Sequence, residues 1–280
     1  MFLIVRKFAR DIPAVFGLAI VLLAIILFFF GELLAPYPLD IYESHIERRL
    51  QPPSSEYLFG TDNLGRDIFS RVILGARISL TVSLMVVTVS MLIGVPLGLV
   101  AGYFSGWISE VIMRVTDVFL AVPQLILALA LAQLMSPSLE SAMIALTLTY
   151  WPFFTRIVYA ETRRLKVSLF VDALQCIGTG TSRILFAHIL PNSASPIIVR
   201  ATIGMGFTIL TAAVLGFLGM GATPPQPDWG LAIAESRRYL PDAWWFSTFP
   251  GLAIFIAVFG FNLLGDGLRD IVDPRLRRSR

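Results

Sequence analysis

The chain has 280 residues, 56% of them apolar and 15% charged, and its mean hydropathy is +0.77. One soluble core could not bury so much apolar surface, so the composition excludes an ordinary soluble domain and indicates a membrane protein. The net charge is only +3, and the single cysteine, Cys176, excludes an internal disulfide.

Six apolar runs predict six membrane-spanning helices. The first has Glu32 as its only charge, and its length of about 22 residues at 1.5 Å each covers the roughly 30 Å hydrocarbon layer. It is too long for the core of a cleaved signal peptide, so we expect a retained span. The fourth run is the shortest, and to cross the bilayer it must include Ser141 at one end or the aliphatic stem of Arg156 at the other. The runs are 14–35, 78–104, 118–135, 142–154, 195–218 and 246–264.

The basic residues in the loops predict the orientation. Of the 22 Lys and Arg residues, 14 fall on the side of the N-terminus, Arg200 lies within the fifth run, and seven fall on the opposite side: Arg48, Arg49, Arg66, Arg71, Arg77, Arg237 and Arg238. Cytoplasmic loops carry the excess of positive charge. We therefore expect both termini in the cytoplasm, loop 36–77 outside and loop 156–192 inside, and the arginines give no support to nucleic-acid binding.

Ionisable side chains within the runs are few. An ion-coupled carrier would normally place carboxylates or histidines at mid-membrane depth, and none is evident there, which leaves such a carrier as an alternative from a different class. Arg200 lies within two turns of a predicted helix start, where its stem can reach the surface. Polar groups within spans tend to face a watery cavity, and the candidates for a solute path are Gln124, Gln133, Thr147, Tyr150, Trp151 and Asn262.

Motifs of the common enzyme sites are missing from the sequence. It contains no phosphate-binding G-x-x-x-x-G-K-[ST], no zinc-binding H-E-x-x-H and no G-x-S-x-G nucleophile turn. The two histidines, His45 and His188, fall in loops on opposite predicted sides of the membrane. We therefore predict no catalytic residue and no metal site, and a membrane-embedded enzyme is disfavoured.

Three loop segments, in this order and spacing, carry a family resemblance. They are "LFGTDNLGRDIFSRVILGARISL" at 58–80, "PPQPDWGLAIAESRRYL" at 224–240 and "FNLLGDGLRDIVDPRLR" at 261–277. Together they resemble the permease subunits of bacterial ATP-binding-cassette (ABC) importers of the dipeptide, oligopeptide and nickel group. The similarity runs over nearly the whole chain and fits the subunit type with an N-terminal span and a hydrophilic outer loop before the core.

The resemblance implies an all-α, six-helix membrane bundle like that of type I ABC importers. Residues 1–75 would form the N-terminal span and external loop, and 76–280 the permease core with a cytoplasmic coupling loop near 160–192. The implied partners are a homologous second permease, two ATP-binding subunits that hold the ATP and Mg²⁺, an external solute-binding protein and the lipid bilayer of the bacterial cytoplasmic membrane. No cofactor is expected on this chain. The implied cargo is a peptide, with nickel complexes, glutathione or sugars as alternatives.

The loops also have structural interpretations. In "GTDNLGRD", the side chains of Asp62, Asn63, Arg66 and Asp67 can satisfy one another and nearby backbone, or can contact a docking partner. The segment "PPQPDWG" predicts a rigid extended loop, with Trp229 in the interfacial belt together with Trp244 and Trp245.

The segment "DALQCIGTGTSRILFAHILP" at 172–191 resembles the "EAA" loop by which such permeases contact their ATPases. An acidic residue, small residues, a glycine and a Leu-Pro pair recur with the family's spacing at Asp172, Ala173, Leu174, Gly178, Leu190 and Pro191. Asp172 replaces the usual Glu, and Leu174 replaces the second Ala. The resemblance implies that Asp172 contacts the ATPase or pairs with Arg183.

The same segment predicts two short helices over 167–191. Leu169, Ala173, Cys176 and Ile177 give the first helix an apolar stripe. A left-handed glycine, Gly178 or Gly180, would end that helix. Thr181 or Ser182 would cap the second helix, which should stop before Pro191.

Overall fold

The computed structural model describes residues 11–39 and 42–272, and every regular element within these ranges is helical. The segment 181–192, here called α7, runs from Thr181–Arg183 through a π-helical turn, Ile184–Ile189, to Leu190–Asn192. The other α-helices are α1 Ile12–Leu34, α2 Ile68–Tyr103, α3 Trp107–Ala121, α4 Gln124–Gln133, α5 Leu139–Lys166, α6 Leu169–Cys176, α8 Ala194–Phe217, α9 Trp229–Ser236 and α10 Trp244–Val272. Two short 3₁₀ helices are Ile46–Arg48 and Arg237–Tyr239.

Four of these helices, α1, α2, α8 and α10, are long and apolar enough to cross a membrane. The pair α3 and α4 is bent by 88° and adds a fifth span if the two helices are counted as one. The predicted run 142–154 lies inside α5, whose 28 residues are long enough to cross but include several charged residues. The chain is therefore a multi-pass, all-α membrane protein, and six is an approximate count of its spans.

Helices α2 and α5 pack closely through a glycine face. A Cβ on Gly94 would lie 2.5 Å from the carbonyl oxygen of Trp151, and one on Gly98 would lie 2.7 Å from that of Thr155. Gly102 lies against Thr162 in the same way. Small residues at four-residue spacing let two backbones approach in lipid, so these glycines fix α5 along the length of α2.

Helix α1 packs against α10 by a similar contact. A Cβ on Gly17 would lie 2.6 Å from the amide nitrogen of Leu264, and one on Gly260 would lie 2.3 Å from Ile20 Cγ2. The predicted boundary between residues 75 and 76 falls inside α2, because that helix already begins at Ile68 with Asp67 as its N-cap.

The predicted outer loop and the predicted coupling segment lie near different ends of α2. Its 36 residues extend over about 54 Å at 1.5 Å per residue. The "GTDNLGRD" loop precedes its first turn, whereas Gln175 of α6 donates from Nε2 to the hydroxyl of Tyr103, the last residue of α2, over 3.2 Å. The predicted outer loop and the predicted coupling segment therefore lie at opposite ends of the bundle.

Candidate coupling and transport sites

The coupling segment turns at Gly178, one of the two positions predicted from the sequence. Gly178 has φ +76°, and its amide donates to the carbonyl of Gln175 over 2.9 Å. The next amide, of Thr179, donates to the carbonyl of Leu174 over 3.0 Å. These two bonds are those of a Schellman motif, which requires a left-handed residue and so favours glycine.

The second half of the segment differs from the prediction in two ways. Gly180, and not Thr181 or Ser182, is the N-cap of α7, and it offers no side-chain bond. The helix does not stop before Pro191, because the amide of Leu190 bonds back to the carbonyl of Leu185 in a π-helical turn. Proline lacks an N–H and clashes with the carbonyl four residues earlier in an α-helix, and the wider turn accommodates it.

Most of α6 is exposed. Val171 is fully buried and anchors the helix, whereas Leu169 is 87% exposed and Ile177 is 78% exposed. Of the motif residues, Asp172, Ala173, Gly178 and Pro191 are exposed, and Leu174 and Leu190 are half-buried. No ion pair recorded within residues 11–39 and 42–272 joins Asp172 to Arg183. The apolar stripe predicted for α6 therefore faces away from the rest of the chain.

The six predicted path residues do not form one cluster. Gln124, at the start of α4, donates from Nε2 to Thr149 Oγ1 over 3.5 Å, which places it beside Tyr150 on α5. Tyr150 and Trp151 are buried, Gln124 and Asn262 are half-buried, and Gln133 is exposed at the end of α4. Thr147 donates to the carbonyl of Met143 in its own helix.

Arg200 on α8 packs against two aromatic rings of α5. Its guanidinium carbon lies 4.5 Å from the ring centroid of Phe153 and 5.2 Å from that of Tyr150. Its Nε is buried and has no hydrogen-bond partner among the described residues. The cation–π contacts therefore hold the Arg200 guanidinium of α8 against the aromatic rings of α5.

An ion pair that the sequence analysis missed joins α3 to α5. Arg156 donates from a terminal guanidinium nitrogen to Oδ1 of Asp117, across 39 positions of the chain. Asp117 directly precedes the predicted run 118–135, and Arg156 closely follows 142–154. Consecutive spans run in opposite directions, so the start of one apolar run lies at the same membrane depth as the end of the next. The opposite charges at these two run ends are the sequence signal that could have predicted the pair.

The outer loop closes on a buried group of four charged side chains, here called the outer charge cluster: Asp62, Arg66, Arg71 and Glu235. Asp62 Oδ2 lies 2.6 Å from Arg66 Nε and 3.6 Å from Arg71 Nε. Glu235 Oε2, on α9, lies 3.4 Å from an Arg66 guanidinium nitrogen. The side chains of Asp62 and Arg66 are 0% and 2% exposed. The interpretation in which these motif residues satisfy one another is thus confirmed for Asp62 and Arg66.

Backbone bonds complete this region. Asp62 Oδ1 accepts from the amides of Leu64 and Arg66 over 2.8 and 2.9 Å, and Arg71 donates to the carbonyls of Pro225 and Gln226. Asp67 caps α2 through the amide of Ser70. The loop 224–228 is therefore held against the first turn of α2.

Two of the three tryptophans assigned to the interfacial belt are buried instead. Trp229 is 5% exposed and donates from Nε1 to the carbonyl of Val72 over 2.9 Å. Trp245 is 7% exposed and donates to the carbonyl of Thr61 over 3.2 Å. Only Trp244, at 50%, remains exposed among the three. Hydropathy alone could not separate a buried tryptophan from an interfacial one, because both positions suit an amphipathic ring.

Burial is the largest effect on the pKa of two carboxyl groups on this side of the bundle, those of Glu235 and Asp228. It raises the pKa of Glu235, although the guanidinium groups of Arg71 and Arg66 lower it in part. It also raises the pKa of Asp228, the N-cap of α9, against the opposing effect of the Leu231 and Gly230 amides. The arginines therefore offset a desolvation cost that the carboxylates would otherwise carry alone.

Comparison with known proteins shows that two family models match the chain. Residues 94–278 match the family described as the binding-protein-dependent transport system inner membrane component. Residues 2–53 match the N-terminal transmembrane domain of oligopeptide transport permease C.

Individual relatives agree with these matches. The dipeptide transport system permease protein DppC of Alkalihalophilus pseudofirmus is 44% identical over 97% of this chain and 89% of its own length. The glutathione transport system permease protein GsiD of Pectobacterium atrosepticum is 43% identical over 97% and 90%. A chain of the inward-facing MetNI methionine ABC transporter shares the fold, with TM-score 0.61 at 18% identity over 74% of this chain and 98% of that one. This chain therefore belongs to the family of inner-membrane permease components of binding-protein-dependent ABC import systems.

Proposed function

We propose that this permease imports peptides, such as dipeptides, or the peptide-like glutathione by alternating access. Its relatives named for dipeptide and glutathione transport support this cargo class. The proposed assembly contains a homologous second permease, two ATP-hydrolysing subunits that bind ATP and Mg²⁺, and an external solute-binding protein. In this assembly the chain contributes the path and the coupling surface, and the ATPases contribute the chemistry.

The exposed coupling segment is the single observation that carries the proposal. Leu169 and Ile177 leave apolar surface uncovered, and an amphipathic helix held in a partner's groove is a common recognition mode. The segment leads directly from α5 into α8, so a movement of the ATPase would displace both spans. We assign the ATPase contact to Asp172, Ala173, Leu174, Gly178, Leu190 and Pro191.

The solute path is assigned to the region where α4, α5 and α8 meet. Gln124 and Tyr150 are the strongest of the six candidates, because Gln124 Oε1 and the Tyr150 hydroxyl are buried without a hydrogen-bond partner among the described residues. Such groups are available to a passing solute or to water. Gln133, Thr147, Trp151 and Asn262 remain weaker candidates for the same path.

Uptake by the complete transporter tests the function. Cells or vesicles that contain all subunits are expected to accumulate labelled dialanine or glutathione when ATP is present, and to continue after the proton gradient is collapsed. Mass spectrometry of the ligand that copurifies with the cognate binding protein identifies the cargo, including a nickel complex or a sugar. Uptake that stops with the proton gradient and continues without ATP would instead identify an ion-coupled carrier.

The charge asymmetry of the loops predicts the orientation. We propose that both termini and α6 lie in the cytoplasm and that the outer charge cluster lies outside. In a Cys176→Ser background, an impermeant thiol reagent applied to whole cells is expected to label a cysteine at Ser54 and not one at Ser168. Permeabilised cells provide the control, since both cysteines should then react. Labelling of Ser168→Cys alone in intact cells would reverse the proposed topology.

A further inference from the structure

Arg200 on α8 carries a positive charge with which no carboxylate of the described residues forms an ion pair. A guanidinium has five N–H donors, and none of those of Arg200 reaches an acceptor on the described residues. Its guanidinium carbon lies over the rings of Tyr150 and Phe153, at 5.2 and 4.5 Å from their centroids. Aromatic faces attract a cation, but they leave its in-plane donors free. The guanidinium therefore retains the capacity to bind an anion.

A second unpartnered donor lies one helical turn away. Tyr150 is 0% exposed, and its hydroxyl has no hydrogen-bond partner within the part of the chain that the structure describes. The hydroxyl lies against Gly204, where an added Cβ would come within 2.4 Å of its oxygen. Residues 200 and 204 lie on the same face of α8, one turn apart. Two groups that can donate to one anion thus meet where α5 contacts α8.

The Tyr150 hydroxyl is enclosed in a way that a small helix movement would relieve. A buried hydroxyl without a partner keeps its desolvation cost. Gly204 has no side chain, so only the α8 backbone closes over the hydroxyl, and a small separation of α8 from α5 would uncover it. Arg200 is only half-buried, so part of its guanidinium is accessible before any movement. Both donors can therefore reach one ligand when α8 moves away from α5.

On the basis of the proposed function, we propose that Arg200 and Tyr150 form the site that binds the carboxylate of the transported solute. A carboxylate accepts two parallel N–H bonds from the planar fork of a guanidinium, and the tyrosine hydroxyl can donate a third bond. The rings of Tyr150 and Phe153 keep water from one face of the guanidinium, which strengthens such bonds. Dipeptides and glutathione both carry a carboxylate, so one site would serve both cargo classes.

Thermal stabilisation of the detergent-solubilised permease–ATPase complex tests the site without the binding protein. Dialanine and N-acetyldialanine, which carry the carboxylate, should raise the unfolding midpoint of the permease by about 2–4 °C once the site is filled. Dialanine amide, which lacks the carboxylate, should not. Arg200→Met should remove the shift, and Arg200→Lys should retain part of it. Equal shifts with all three solutes, no shift in wild type, or a full shift in Arg200→Met would overturn the proposal.

Uptake per ATP separates solute contact from helix packing. In the complete transporter with its binding protein, Arg200→Met should lower the uptake of labelled dialanine per ATP about tenfold, and Tyr150→Phe about threefold. ATP hydrolysis should stay within about twofold of wild type, because the ATPase contact is intact. Arg237→Met is the matched control, since the Arg237 guanidinium carbon lies 5.2 Å from the ring of Phe217 at the other end of α8. Its ratio should not change.

A merely structural Arg200 would give a different result. If Arg200→Met lost uptake and ATP hydrolysis in proportion, or kept the wild-type ratio, the guanidinium would serve only packing or a lipid headgroup, and the carboxylate site would be wrong.

The two measurements also separate this inference from the proposed function. If the wild-type transporter takes up neither dialanine nor glutathione, the proposed cargo is wrong. The thermal shifts still decide whether Arg200 binds a carboxylate, because they involve neither the binding protein nor transport.

Discussion

A Gly178→Val permease is expected to insert into the membrane and to lose both transport and stable association with its ATPase subunits. Gly178 has φ +76°, a geometry that costs an L-residue about 1–2 kcal/mol and is worse for a β-branched side chain. Apart from Gly178 itself and its two chain neighbours, no described residue has an atom within 4 Å of a Cβ built on Gly178, so the cause is the backbone and not a clash. Relaxing the strain breaks the Schellman bonds and turns α6 away from α7. Uptake and copurification of the ATPase subunits measure the effect.

Gly180 provides a matched control two positions away. A Cβ added to Gly180 would likewise have no neighbour within 4 Å among the described residues that are not adjacent to it in the chain, but the φ of −60° and ψ of 144° at this position suit any residue. Gly180→Val should therefore retain transport. Normal transport by Gly178→Val, or equal loss in both variants, would refute the assignment of the turn to Gly178.

The second large effect is expected from Arg66→Met, which should destabilise the permease by about 1.5–3 kcal/mol, the contribution of a hydrogen bond between charged groups. The substitution removes the closest cation from Asp62, whose side chain is 0% exposed, and it also removes the closer of the two guanidinium partners of Glu235. Arg71 remains, 3.6 Å from Asp62 and 4.0 Å from Glu235. A buried carboxylate that loses its partner retains its desolvation penalty. The thermal unfolding midpoint of the detergent-solubilised protein and the yield of inserted protein measure this loss.

Arg77→Met is the control for that experiment. Arg77 pairs with Glu32 over 3.0 Å, but the two side chains are 60% and 75% exposed, and exposed pairs contribute about 0–1 kcal/mol. Its unfolding midpoint should stay close to that of wild type. Equal midpoints for Arg66→Met and wild type would show that the outer charge cluster does not stabilise the fold.

Local features of the sequence determined the class of the protein and the shape of the coupling turn. The apolar runs predicted membrane helices because the length of a span depends only on the residues within it. Gly178 or Gly180 was predicted to end α6, because left-handed geometry is a property of one residue and its neighbours, and the structure places that geometry at Gly178. The predicted N-cap of α7 and its predicted end before Pro191 were both wrong. A π-helical turn, which the sequence pattern does not predict, continues the helix through Pro191.

Long-range packing decided the rest. Arg66 meets Glu235 across 169 positions, and Arg156 meets Asp117 across 39. Nothing near Arg66 in the sequence names Glu235 as its partner. The ends of the apolar runs place Arg156 level with Asp117, but only the packing of α3 against α5 brings the two side chains into contact. Helix packing also buries Trp229 against α2 and holds Arg200 against Phe153. Hydropathy averages each residue with its sequence neighbours, whereas burial and charge pairing depend on neighbours in space, and only the tertiary structure supplies those.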